Sequence, residues 1–179
     1  FTSGQNSFKK KDYATAIKYF KQAIIIDSNF INAVFPITTA YLNQGLNDSA
    51  KKWCLKIYRK RDQVPIQQQI VINYDYALLF ETPVEQIKYL KQFLEFDDQM
   101  PTLYYQLGLT YNNLNQYNKA IPEFEKSLEL YKKWESKPWW SYNYTMLGRS
   151  YHKTGQYKKE KKLYKKAEQD FADSPDIIY

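Results

Sequence analysis

The sequence predicts an all-α protein of about ten antiparallel helices, stacked as helix-turn-helix repeats. Apolar residues recur at three- and four-residue spacing, as in Ile17, Phe20 and Ile24, and this period is typical of amphipathic helices and not of strands. The glycines and tyrosines recur in a register of about 34 residues. With 5 glycines in 179 residues, the sequence also disfavours a glycine-rich β fold or a phosphate-binding loop.

The register is clearest at one position of each repeat. Gly4, Thr38, Tyr74, Gly108 and Gly148 are separated in turn by 34, 36, 34 and 40 residues, so the repeat holds with insertions of two and six residues. Five units therefore fit into one repeat domain over residues 1–179, with approximate bounds 1–30, 31–66, 67–100, 101–140 and 141–174.

Capping and turn-forming residues predict where the two helices of each unit begin and end. They are Asp12, Asp48 and Asn118 as N-caps of second helices, Pro65, Pro83, Pro101 and Pro138 in first turns, and Gly45 and Gly155 at the ends of first helices. Pro36 falls within the first helix of the second unit, so we expect that helix to start late or to bend.

Small residues where two helices touch, followed by large residues that fill the gap between units, recur through the chain. They are Leu107, Gly108, Tyr111, Ala120 and Phe124 in the fourth unit; Gly4, Ala16, Phe20 and Ala23 in the first; Tyr41, Gly45 and Ala50 in the second; and Leu147, Gly148, Tyr151, Gly155 and Ala167 in the fifth. On these residues, the chain resembles the tetratricopeptide repeat family over nearly its whole length. The third unit has Tyr74 and Gln86 at contact positions, so its helices are expected to pack more loosely.

The resemblance implies a right-handed α-solenoid whose first helices line a concave groove and whose second helices form the convex back. In the family, ligands usually lie along that groove. Carried over to this sequence, the groove positions are Phe35, Thr39, Asn43, Asp75, Tyr105, Gln106, Asn112, Asn113, Met146, Arg149, His152 and Lys153. Their amides, rings and apolar groups suit a partner peptide or helix. The basic clamp of the family members that grip chaperone carboxylates is absent, because Pro36 replaces one of its asparagines.

Catalytic and metal-binding chemistry have few candidates in the sequence. A single cysteine and a single histidine cannot form an internal disulfide or supply the four ligands of a structural zinc site. Cys54 and His152 would be the nucleophile and base, but they lie three repeats apart, and Cys54 stands at a position that other units fill with apolar residues. We therefore expect a protein with no enzymatic activity, no cofactor and no metal.

Charge is spread unevenly along the chain. Residues 1–61 carry 11 basic and 3 acidic side chains, residues 62–100 carry 2 and 7, and residues 101–179 carry 13 and 9. Lysines crowd the last helix at positions 158, 159, 161, 162, 165 and 166. They could bind nucleic acid or an anionic membrane, but the polar outer face that a terminal repeat needs explains them adequately, so nucleic acid is not favoured.

The predicted function is that of a non-enzymatic scaffold, monomeric, which binds another protein in its groove. The alternative is a regulatory or accessory repeat array within a larger signalling, DNA-binding or envelope-assembly protein. Because the first residue is Phe1 and not Met, we expect a longer or processed chain, and the compartment stays open between cytoplasm and export. No apolar run is long enough for a membrane helix. Three tryptophans, Trp134, Trp139 and Trp140, are expected to cover the last helix pair.

Overall fold

The structure is a computed structural model that describes residues 1–26, 33–138 and 141–171. In these ranges the chain forms ten α-helices and one short 3-10 helix, Arg61–Gln63, and contains no strand, which confirms the predicted all-α fold. The α-helices are α1 Thr2–Lys9, α2 Tyr13–Ile26, α3 Val34–Asn43, α4 Asn47–Tyr58, α5 Ile66–Phe80, α6 Pro83–Leu94, α7 Pro101–Asn113, α8 Tyr117–Lys133, α9 Tyr142–Lys153 and α10 Tyr157–Asp170.

The turns between the two helices of a repeat share one backbone conformation. Lys11, Gly45, Asn115 and Gly155 have φ values of 62°, 71°, 57° and 72°, in the left-handed region. The residue after each of them donates a backbone hydrogen bond to a carbonyl five residues earlier, which closes the end of the helix. Gly45 and Gly155 thus end first helices as predicted. The third repeat differs, because Glu81 after α5 is extended, with φ −121° and ψ −168°.

The predicted N-caps are only partly right. Asp12 accepts a hydrogen bond from the backbone nitrogen of Thr15 at 3.2 Å and so caps α2 as expected. For Asp48 and Asn118 the prediction was wrong, because each lies inside the first turn of its helix and not before it.

The proline predictions are also only partly right. Pro83 and Pro101 begin α6 and α7, where the missing N–H of proline costs nothing. Pro65 directly precedes α5, whereas Pro138 lies four residues before α9. Pro36 does not delay its helix, since it lies in the first turn of α3.

The first compact unit comprises residues 1–93, from α1 to nearly the end of α6. Its consecutive helices from α1 to α5 pack against one another, and α3 also packs against α5. The core includes Phe20 on α2, Cys54 on α4 and Ile72 on α5, each about 1% exposed. In α6, Leu90 is the single buried residue.

The second compact unit comprises residues 94–179, described to Phe171. In this unit α7 packs against α8, α8 against α9, and α9 against α10, and α7 also touches α9. Phe124, Leu107 and Leu147 are buried at the centre of these contacts. Trp134 is half exposed at the end of α8, while Trp139 and Trp140 lie outside the described residues.

Candidate binding surface

In the second unit, α7 and α9 are the first helices of the fourth and fifth repeats, and the buried amide of Asn112 holds them side by side. Asn112 of α7 donates from Nδ2 to Ser150 Oγ of α9 at 2.8 Å and to the Met146 backbone oxygen at 3.4 Å. Ser150 Oγ in turn donates to the same Met146 oxygen at 2.9 Å. The partly exposed side chains on the side of α7 and α9 opposite their buried residues therefore share one surface.

We call this surface the α7/α9 face. On each helix its members follow one stripe opposite the buried residues, and all of them are at least partly exposed. The face consists of Thr102, Tyr105, Gln106, Leu109 and Asn113 from α7 and of Tyr142, Thr145, Met146, Arg149 and Lys153 from α9. It brings together six of the predicted groove residues: Tyr105, Gln106, Asn113, Met146, Arg149 and Lys153.

Tyr105 lies at the edge of the α7/α9 face and belongs partly to the core. Its ring packs against Phe124 of α8, with 5.8 Å between the ring centroids. Burial raises the pKa of its hydroxyl to about 12, so the group stays protonated at any ordinary pH. The half-buried ring therefore offers a partner only part of its aromatic surface.

The structure corrects the predicted groove at Asn112 and Asp75. Asn112 is 2% exposed, because its amide is used in the contact between α7 and α9. Asp75, on α5 of the first unit, is 1% exposed and accepts a hydrogen bond from Thr38 at 2.5 Å. Neither side chain lies where a ligand could touch it in this conformation.

His152 was expected in the groove, but its ring turns toward the second helix of its own repeat. Its Nδ1 lies 3.2 Å from Glu160 Oε2 on α10, and the ring meets Tyr157 edge-on at 5.4 Å between centroids. His152 therefore lies beside the α9–α10 turn and not among the members of the α7/α9 face.

In the first unit, the predicted groove residues of α3 lie at different depths. Phe35 is half-buried, and its ring packs against Tyr74 of α5 at 5.7 Å between centroids. Thr39 is half-buried, and its hydroxyl oxygen makes no hydrogen bond among the described residues. Asn43 is exposed at the end of α3. Of these three residues, Asn43 is therefore the one most open to a ligand.

The charges on the α7/α9 face have one sign. Helix α7 carries no charged side chain, and α9 carries Arg149 and Lys153 with no carboxylate. The nearby carboxylates of α8 and α10 are engaged elsewhere. Glu125 of α8 accepts from Tyr151 at 2.5 Å and pairs with Lys159 at 3.4 Å, while Asp170 accepts from Tyr144.

The lysines of α10 form a separate surface on its solvent side. Lys158, Lys161, Lys162, Lys165 and Lys166 are exposed, whereas Lys159 bridges to α8 through Glu125. On its inward side α10 has buried Ala167 and half-buried Leu163 and Tyr164, and Tyr164 lies against Gly148 of α9. The lysine surface and the α7/α9 face can therefore be altered independently by substitution.

The structure does not activate the candidate nucleophile Cys54. Cys54 is 1% exposed, and burial together with the nearby Asp75 raises the pKa of its thiol to about 12, the opposite of an activated nucleophile. No group of three or more His, Cys, Asp or Glu side chains is placed to hold a metal within the described ranges. Over those same ranges, no helix is long and apolar enough to cross a bilayer.

Two models of the tetratricopeptide repeat match the sequence, one over residues 99–171 and the other over residues 1–30. The chain belongs to the tetratricopeptide repeat family. The two TPR matches fall on the first repeat and on the last two, whose residues carry the repeat pattern most clearly. No curated protein sequence matches this TPR chain.

Solved structures of TPR proteins share the fold at low sequence identity. A thermophilic TPR protein of Thermus thermophilus, TTC0263, matches with a TM-score of 0.70 and 17% identity, covering 97% of this chain and 90% of its own. MamA matches with a TM-score of 0.52 and 21% identity over 99% and 94%. YrrB, described as a TPR protein with an unusual peptide-binding site, matches with a TM-score of 0.54 and 16% identity over 95% and 84%.

Sequence reasoning missed the contacts that join the last two TPR repeats. Tyr151 and Lys159 both reach Glu125 from the following repeat, and Lys159 also lies over the Tyr151 ring at 5.3 Å. A spacing of 34 residues between Lys159 and Glu125 was the available signal, because it equals the repeat length. The buried position of Asp75 had no such signal, since an aspartate on a helix is ordinarily exposed to solvent.

Proposed function

We propose that the chain is a protein-interaction module whose α7/α9 face binds an extended peptide or a helix of a partner protein. TPR repeats as a family serve as interaction scaffolds, and the structural relative YrrB has a peptide-binding site. The repeat array acts either alone or as the interaction part of a longer protein.

The observation that carries this proposal is the composition of the α7/α9 face. Half-buried apolar groups of Leu109 and Met146 lie next to the amides of Gln106 and Asn113. Apolar anchors beside amides that can pair with a peptide backbone form the usual pattern of a recognition surface, in which few residues supply most of the affinity.

The charge of this face indicates the chemistry of the partner. Arg149 and Lys153 are exposed, and neither α7 nor α9 carries a carboxylate to neutralise them. A partner segment with acidic side chains would be attracted over a distance set by the ionic strength, whereas a basic segment would be repelled. We therefore expect an acidic peptide that also carries an apolar anchor.

The test is selection of a phage-displayed random peptide library on the whole chain, followed by synthesis of the enriched peptides. We expect them to be rich in Asp and Glu. Arg149→Glu should weaken their binding tenfold or more, because the substitution places a like charge on the exposed face while leaving the core untouched. Asn113→Ala, also exposed, should weaken binding less.

The matched control is Lys162→Glu, which makes the same change of charge on the exposed side of α10. It should alter the salt dependence of binding slightly and the affinity little. If Lys162→Glu abolished binding and Arg149→Glu did not, the groove proposal would fail. The lysine surface of α10, with nucleic acid or an anionic membrane as ligand, would then be the better hypothesis.

A further inference from the structure

Asp75 is a carboxyl group buried in the first unit, and no cation of the described residues compensates it. It lies in the middle of α5 and is 1% exposed. Its Oδ2 accepts a hydrogen bond from Thr38 Oγ1 of α3 at 2.5 Å. Its other oxygen, Oδ1, is buried and makes no hydrogen bond among the described residues. A carboxylate in such a place is poorly stabilised, so the neutral acid is the favoured form.

Among the described residues, the Thr38 hydroxyl is the group that favours the charged form of Asp75. From α4 it is faced by the Cys54 thiol, and on α5 itself by Tyr74, and neither is cationic. On the neighbouring elements, Arg61 pairs with Asp62 at 3.7 Å and Lys88 with Glu85 at 3.1 Å. The charged side chains of α4, which are Asp48, Lys51, Lys52 and Lys56, are exposed. Burial raises the pKa of the Asp75 carboxyl to about 8, with Thr38 acting in the opposite direction.

We propose that Asp75 makes the first unit pH-responsive, because the contact between α3 and α5 is closed around a neutral carboxyl and opens as that carboxyl loses its proton. The step is a simple ionisation. The proton leaves to solvent when the helices separate, and the carboxylate becomes hydrated. This inference is independent of the peptide site on the α7/α9 face.

The sign of the effect follows from the two states of the group. In the open state Asp75 has the ordinary pKa of about 3.9, whereas in the closed state its pKa is raised. The stabilisation of the closed state is therefore complete below about pH 4, and it decreases as pH rises toward 8. Across that window the opening equilibrium should increase by up to tenfold for each pH unit, since one proton is released.

Opening at this position would change the surface that the first unit presents. Tyr74, next to Asp75, packs its ring against Phe35 of α3. Separation of α3 from α5 would expose both rings and the half-buried Thr39 beside Thr38. The first unit would then present apolar groups at alkaline pH that are covered at acidic pH.

Cys54 supplies a reporter for this opening. It is the single cysteine of the chain, it is 1% exposed, and it belongs to the same unit as Asp75. A thiol-alkylating reagent can modify it only when the first unit opens. The measurement is the alkylation rate of the whole chain between pH 5 and 9, compared with that of Asp75→Asn at each pH, so that the pH dependence of thiol chemistry itself cancels.

We expect the ratio of wild-type to Asp75→Asn rates to increase with pH, by up to tenfold per unit, and to level off above about pH 8. The control Asp62→Asn removes a carboxylate that is 76% exposed and should give the same pH profile as wild type. A ratio that does not change with pH would overturn the proposal.

A second measurement keeps the proposal testable if Asp75→Asn does not fold. The carboxyl carbon of Asp75 in isotopically labelled wild-type protein should titrate near pH 8 by NMR, far above the exposed aspartates. Thr38→Val, which removes the hydrogen bond that favours the carboxylate, should move that midpoint higher. Titration near pH 4 in the folded protein would show that the charged form is tolerated inside and would refute the proposal.

Discussion

Gly108 of α7 is a position at which we expect a small change of side-chain size to destabilise the second unit. A Cβ atom added there would lie 2.8 Å from two carbons of the Phe124 ring and 3.0 Å from a third, whereas ordinary contact begins at 3.4 Å. The ring would have to move by about 0.6 Å. That movement is resisted, because Phe124 is 1% exposed and also packs against Tyr105.

The expected magnitude combines two opposing effects. Overpacking a filled core costs about 1–3 kcal/mol, and replacing glycine by alanine within a helix gains about 0.5–1 kcal/mol. Gly108→Ala should therefore lower the free energy of unfolding by about 1–2 kcal/mol. Gly108→Leu adds more atoms at the same place and should cost about 3 kcal/mol or more.

The assay is urea unfolding followed by circular dichroism, carried out on Gly108→Ala with and without Phe124→Leu. If the close contact causes the loss, the smaller leucine should accept the new methyl group, and the two substitutions together should cost less than the sum of their separate effects. If Gly108→Ala stabilised the protein when Phe124 is present, the two helices could not approach as closely as the structure shows.

Three further outcomes are expected. Gly155→Ala should lower the free energy of unfolding by about 1–2 kcal/mol through its backbone alone, since φ is +72° and open space surrounds the new methyl group; an unchanged urea midpoint would contradict this. Asn112→Ala should lower the free energy of unfolding by about 1–3 kcal/mol in urea, because the Ser150 hydroxyl loses its buried donor; a variant as stable as wild type would show that this amide does not hold α7 against α9. In hydrogen exchange, α5 and α6 should open before α7 and α9, because α6 buries only Leu90; earlier exchange in α7 would show that the third repeat is not the weakest.

The repeat register could be predicted from the sequence because close helix contact restricts side-chain size. At Gly4 and at Gly108, an added Cβ would meet a phenylalanine ring of the second helix at 2.8 Å, so glycine recurs where the helices approach. The third repeat has Tyr74 at this position and could be placed only by spacing. Its extended turn at Glu81 confirms that it departs from the others.

The groove was predicted less well, because position on a helix does not determine what a polar side chain contacts. Asn112 and Asn113 are adjacent polar residues of one type, yet one is buried against Ser150 and the other is exposed. A rotation of about 100° between successive residues separates them, and only the actual direction of α7 relative to α9 decides which amide turns inward. In the same way, the direction of α5 relative to α3 decides that Asp75 is buried against Thr38.

The shared carboxylate of Glu125 limits how modular the last two repeats can be. Because Tyr151 and Lys159 both depend on it, a repeat transplanted from another array would fit here only if it supplied a matching hydroxyl and a matching cation. Duplicating or exchanging the fifth repeat alone would leave one side of this contact unsatisfied. For engineering or for evolution by recombination, the fourth and fifth repeats should therefore be inherited together as one cassette.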